Sequence, residues 1–126
     1  MRALYIPAAV LAAILAFSLW TGRYVQQNTE LWTVALAESG EAARAEDWSA
    51  AAEHLDRAYR GWNRSQDFFH TIMDHAELDE AEELFAGALA VCQERDEPDF
   101  HTLLSQLSVS LEMLSETQQF SLRNIL

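Results

Sequence analysis

The chain has 126 residues and a formal net charge of −12, with 20 acids against 8 basic residues, all of them arginine. Every acid and all but one arginine lie beyond residue 22, and a surface of that sign repels phosphate backbones and anionic headgroups, which excludes nucleic-acid binding and polybasic membrane docking. The single cysteine, Cys92, excludes an internal disulfide.

No charged side chain occurs from Ala3 to Gly22, and Arg2 and Arg23 bracket the stretch. At the helical rise it measures about 30 Å, the thickness of a bilayer's hydrocarbon core. Tyr5, Trp20 and Tyr24 sit near its ends, where the membrane interface favours aromatic rings. Residues 1–22 therefore read as a transmembrane anchor that meets the lipid bilayer through residues 3–22. Ala16, Phe17 and Ser18 have the form of a signal-peptide cleavage site, but the apolar run starts directly after Arg2 and continues through Trp20, so retention is preferred to cleavage. The terminal amine plus Arg2 outweigh Arg23 by one charge, which puts the N-terminus inside and the C-terminal domain outside the cytoplasm.

Residues 23–126 form one acidic domain by length. Glycine and proline are scarce and alanine, leucine, glutamate and arginine dominate, so the expected class is all-α. The anchor helix is expected to continue through Tyr24, Leu31 and Ala35 to about Ala45, with Gly40 either capping it or lying inside it. Asp47 is a suitable N-cap for a second helix with Trp48, Ala52, Leu55, Tyr59 and Trp62 on its inner stripe. Phe69, Ile72, Met73 and Ala76 extend that stripe, with a bend or break expected between Gly61 and Gln66.

A third helix is predicted from about Glu77 to Arg95, burying Leu78, Ala81, Phe85, Ala88 and Cys92, with acids in its first turns to complement the helix dipole. Asp96, Glu97, Pro98 and Asp99 mark a turn, with Asp99 as the expected cap. The last helix carries Phe100, Leu104, Leu107, Leu111, Leu114 and Leu122 inward. Short connections between amphipathic helices favour an antiparallel up-and-down bundle of about four, the first shared between lipid and water.

Residues able to carry chemistry are few. His70, Asp74 and His75 are the candidate metal ligands, and Asp67 with His70 has the carboxylate-x-x-His spacing of di-iron bundles, but no second such motif is present. The serines of the last helix have no glycine-flanked elbow and no evident base, and no phosphate loop, zinc spacing or dinucleotide fingerprint occurs. The expectation is a protein that is not an enzyme and takes no cofactor. Cys92, inside an apolar stripe, reads as a small buried hydrophobe. Arg57, Arg60 and Arg64 form a ridge whose first two members pair with Glu53 and Asp56 in the favourable i,i+4 order. That ridge and Trp32, whose face on the first helix is ambiguous, are the candidate partner-binding residues.

The segments MRALYIPAAVLAAILAFSLW, DWSAAAEHLDRAYRGW, HTIMDHAELDEAEELFAGAL and SLRNIL together resemble domain-of-unknown-function family 4363 over essentially the whole chain. The resemblance implies a small single-pass helical protein of bacteria, mostly Firmicutes, with no catalytic residue to carry over. It also implies a candidate partner, a multi-spanning membrane protein of the YetF-domain type encoded nearby. A weaker likeness to tetratricopeptide helices, in Asp47, Trp48, Ala51, Ala52, Leu55 and Tyr59, lacks any repeat and reads as ordinary helix-pair packing.

Two readings of function follow. One is an anchored interaction module or accessory subunit of an integral membrane protein, with an exposed apolar patch near Trp32 or Phe120. The other is an extracytoplasmic ligand or metal sensor, with His70, Asp74 and His75 converging.

Overall fold

A computed structural model describes the backbone of residues 2–125 and the side chains of residues 3–71 and 73–117. Among these residues every element is helical: α1 (Arg2–Arg44), α2 (Trp48–Ile72), α3 (His75–Glu94) and α4 (Glu97–Ile125). Each helix packs on its neighbours in the order α1, α2, α3, α4 and back to α1, and across one diagonal Trp48 of α2 meets Phe100 of α4 at a ring-centroid distance of 5.5 Å. This is a closed up-and-down bundle, in which short turns force antiparallel neighbours.

The connections are short because each helix end is satisfied locally. At the end of α1 Glu46 takes a left-handed conformation at φ 62°. Its N–H donates to the Ala43 carbonyl at 3.0 Å and that of Asp47 to Ala42 at 2.9 Å. These two bonds form a Schellman motif, and Asp47 caps α2 in turn by accepting from the Ala50 N–H at 3.1 Å. Arg95, at φ 58°, closes α3 in the same way. Asp74 caps α3 by accepting from the Ala76 N–H at 3.3 Å.

One expectation about boundaries is met and two change. Gly40 lies inside α1, which continues to Arg44, and faces Leu104 and His101 of α4. The stretch from Gly61 to Gln66 neither bends nor breaks α2, which runs on to Ile72. Asp96, and not Asp99, caps α4 by accepting from the Asp99 N–H at 3.4 Å, which leaves Pro98 in the first turn, where no intrahelical N–H is needed.

The core places Leu36, Leu55, Trp62, Phe69, Phe85, Phe100, Leu107 and Leu111 almost wholly out of solvent. α3 buries Leu78, Ala81, Phe85, Ala88 and Cys92, and α4 buries Phe100, Leu104, Leu107, Leu111 and Leu114, as their spacing predicts. The inner stripe of α2 is Ala51, Leu55, Ala58, Trp62, Ser65 and Phe69, with Trp48 and Tyr59 half-buried on its flanks. Ala52, expected inside, is exposed, because the stripe runs through its neighbour Ala51, and Ala76, expected to extend that stripe, is exposed in the first turn of α3.

α1 resolves the ambiguity of its face against Leu31, which is 67% exposed while Trp32 is 5% exposed. Trp32 turns inward because Gly61 on α2 leaves room for its indole. A Cβ built on Gly61 would overlap the Trp32 ring nitrogen. Small residues make the rest of that seam: Ser39 donates its hydroxyl hydrogen to the Ala51 carbonyl at 2.6 Å, beside buried Ala43 and Ala51. The side chains of Ile72, Phe120 and Leu122 lie outside the described residues.

The first part of α1 has no such partners. Leu4, Tyr5, Ile6, Val10, Leu11 and Ile14 are each at least half exposed. α1 is long and apolar enough to cross a membrane, the one such helix among the described residues. No break separates it from the bundle at residue 22, and Leu15 and Ser18 are already half-buried.

Candidate functional site

The three basic side chains of the α2 ridge stay on the surface and are used within their own helix. Arg60 Nε lies 2.9 Å from Asp56 Oδ2, and Arg57 Nη2 is 3.9 Å from Glu53 Oε1, both at i,i+4. Arg64 Nε donates to the Arg60 carbonyl at 3.3 Å. Exposed pairs of this kind contribute about 0.3–0.5 kcal/mol each and leave the guanidinium groups open to a partner. Trp32, the other candidate for partner contact, is inside the bundle and presents no surface. The exposed apolar residues of the water-side part of α1 are Leu31 and Val34 instead, at 67% and 56% exposure.

The α2–α3 turn brings together two of the three candidate metal ligands. His70 closes α2 and His75 opens α3, with Nδ1 atoms 2.8 Å apart and ring centroids at 4.8 Å. Their tilted rings share one hydrogen bond across the corner, so one imidazole donates and the other accepts. Asp74 does not join them, since its carboxylate is engaged as the α3 N-cap. Among the described residues no group of three or more His, Cys, Asp or Glu side chains converges to hold a metal ion. His54 and His101 lie elsewhere, 3.1 Å from Glu38 Oε2 and 3.6 Å from Glu97 Oε1 respectively.

The densest polar arrangement was not anticipated from the sequence. Glu82, half-buried on α3, accepts hydrogen bonds from three side chains of α2: the Tyr59 hydroxyl at 2.9 Å, the Trp62 indole N–H at 2.9 Å and the Gln66 amide at 2.7 Å. The bond to Glu82, then burial, then the charge of the carboxylate hold the Tyr59 hydroxyl above its ordinary pKa of 10.0. Tyr59, Trp62 and Gln66 recur at three- and four-residue steps, so one helix edge presents all three donors to one acceptor. The arrangement locks α2 to α3, with one bond on Oε1 and two on Oε2. Burial likewise pushes the Cys92 thiol up from its ordinary value, which suits an inert core residue.

Besides a groove of about 320 Å³ beside Thr29, Thr33 and Glu112, two larger open grooves flank α4. The larger, about 670 Å³ against α3, is lined by Glu77, Glu80, Leu84, Gln106, Val109 and Met113. The smaller, about 410 Å³ against α1, meets Gly40, Arg44, His101 and Ser108. Ser105 and Ser110 line the first beside Glu77 and Glu80, and Ser105 and Ser108 line the second beside His101.

The profile of a domain of unknown function, DUF4363, matches residues 19–125. The chain belongs to that family. No curated protein and no solved structure matches it. The matched DUF4363 region starts within α1, just before its bundle-facing side becomes buried at Thr21 and Gly22, and it includes all the aromatic positions of the core. The DUF4363 bundle thus contains the His70–His75 corner, the Glu82 lock and the arginine ridge.

Proposed function

We propose that this protein is a non-enzymatic, membrane-anchored bundle that serves an integral membrane protein as an accessory subunit. The observation that carries this reading is the continuity of α1: one helix supplies both a bare apolar segment and a wall of the bundle, so the head cannot swivel freely on its anchor. A rigid connection of this kind suits a protein that transmits or fixes position beside a partner. In this reading the N-terminus lies inside a bacterial cell membrane and the bundle outside the cytoplasm.

The partner proposed is a multi-spanning protein of the YetF-domain type, on the strength of the family resemblance alone. Leu31 and Val34, exposed on the same helix just beyond the span, are the contact residues proposed, with Arg57, Arg60 and Arg64 as a second patch. The test is affinity capture of the full-length chain from detergent-solubilised membranes, with Leu31→Glu/Val34→Glu as the comparison. A membrane protein retained by the wild type and lost from the double variant supports the proposal. Equal recovery by both removes these residues from it, and no retained membrane protein removes the proposal.

The sensor reading is favoured by one observation, the 2.8 Å approach of His70 and His75. Thermal melting with zinc or manganese tests it. A melting temperature that stays flat up to millimolar metal disposes of it.

A further inference from the structure

The overlap between span and bundle has a geometric consequence. Phe68, near the end of α2, packs against Trp20 and Tyr24 of α1, with ring centroids at 6.0 and 4.8 Å, and the Tyr24 hydroxyl lies 3.2 Å from Ser65 Oγ. Phe17 and Trp20 continue the aromatic ladder toward the N-terminus at 6.2 Å. Because α2 runs antiparallel to α1, the four residues from Phe68 to Ile72 advance about 6 Å further in that direction. The α2–α3 turn is therefore level with residues 16–18 of α1, inside the uncharged segment. Leu15 and Ser18, half-buried, mark the same limit on the bundle-facing side.

The bare part of α1, residues 3–14, measures about 18 Å at the helical rise, against a hydrocarbon core of about 30 Å. A head standing clear of the lipid would leave that segment too short to cross. Local thinning of the bilayer accommodates a short span, and the thinning needed is least when the base of the bundle rests against the headgroups. The chemistry of the base fits the boundary. Trp20, 56% exposed although it stacks on Tyr24, and Phe68 supply aromatic rings of the kind the interface favours. Just beyond them the exposed Asp67, His70, Thr71, Asp74 and His75 need water and polar partners, which exclude hydrocarbon and suit headgroups.

We propose that the bundle sits directly on the membrane, with its α2–α3 corner at the hydrocarbon side of the phospholipid headgroup layer and Trp20 and Phe68 on the water side of that corner, within the same interfacial layer. This rests on the anchored reading above and adds the depth and attitude of the head. The turns at residues 45–47 and 95–96 then point away from the lipid.

The test places an environment-sensitive fluorophore on Thr71→Cys or, separately, on Ser49→Cys of the full-length chain. Both are exposed positions on α2, separated along its axis by about 33 Å. The buried Cys92 stays in place, and the unsubstituted chain gives the labelling background. Each labelled chain is reconstituted into phosphatidylcholine vesicles with or without a headgroup-spin-labelled phosphatidylcholine. Quenching severalfold greater at position 71 than at position 49 is the expected result. Equal quenching at both positions, from protein that floats with the vesicles, overturns the seating and leaves the anchored reading intact. Protein that does not float with the vesicles overturns both.

Discussion

The Trp32 indole lies over Gly61, edge-on to Trp62 at a centroid separation of 5.9 Å, and fills the space a side chain at 61 would occupy. That contact sets the rotation of α1 in the bundle. It buries the Trp32 face and turns Leu31 to solvent.

Gly61→Ala will therefore destabilise the bundle although alanine is the better helix former. The added methyl meets a packed ring, and overpacking of this kind costs about 1–3 kcal/mol, more than the roughly 1 kcal/mol of propensity gained. Gly87→Ala is the matched control, since a Cβ there meets only Leu103 methyl groups at 3.7 and 3.8 Å, ordinary contact distances. It should stabilise by about 0.5–1 kcal/mol. Thermal melts of the two variants in detergent, followed by circular dichroism, should move in opposite directions. A Gly61→Ala variant as stable as the wild type would show that Trp32 has other room.

The Glu82 lock makes a separate prediction. Glu82→Ala strands three donors at a half-buried site and should cost about 1–3 kcal/mol, whereas Tyr59→Phe removes one bond and should cost about 1 kcal/mol. The raised Tyr59 pKa adds a pH dependence. Above pH 10.0 the unfolded chain loses the Tyr59 proton before the folded one does, so the stability contributed is complete below that pH and declines as pH rises through the folded value. Stability measured from pH 8 to 11 should fall more steeply for the wild type than for Tyr59→Phe. Parallel curves would mean that the hydroxyl is not held by Glu82.

The helix count and the α3 and α4 stripes were legible in the sequence because apolar spacing determines them, and the family was legible as a resemblance carried by whole segments. The face of α1 was not, since Leu31 and Ala35 on one side compete with Trp32 and Leu36 on the other, and no polar residue breaks the tie. The decision comes from α2, through a glycine that sequence reasoning treats as a helix breaker. The His70–His75 corner was legible as a cluster but not as a pair. Its geometry depends on where α2 stops, and Asp74, counted there as a ligand, is taken by the α3 cap. Glu82 was overlooked because a carboxylate among several acids on α3 carries no mark of its partners on another helix.

Cys92 offers a measure of bundle opening. It is 5% exposed on the inner stripe of α3, and burial raises its thiol pKa, so both access and thiolate fraction are low. Reaction with a water-soluble disulfide reagent at pH 8 should be slow in the folded chain and should accelerate to the rate of a free thiol in denaturant. In Gly61→Ala the folded-state rate should rise exponentially with the loss of stability, about tenfold per 1.4 kcal/mol, provided opening is global. Rapid labelling of the wild type would place Cys92 in a locally open part of α3.

Glu46 and Arg95 end α1 and α3 in left-handed conformations at φ 62° and 58°, positions where a Cβ is disfavoured. Their side chains make no hydrogen bond or ion pair among those described, so replacement by glycine relieves backbone strain at little loss. Glu46→Gly and Arg95→Gly should each stabilise by about 0.5–1 kcal/mol, the benefit of a compatible conformation outweighing the extra freedom glycine gives the unfolded chain. The sites lie at the ends of different helices and share no contact, so the double variant should gain close to the sum in thermal melts. A loss at either site would mean that the freedom gained by the unfolded chain, or at Arg95 the lost positive charge at the helix C-terminus, outweighs the relief of the left-handed backbone.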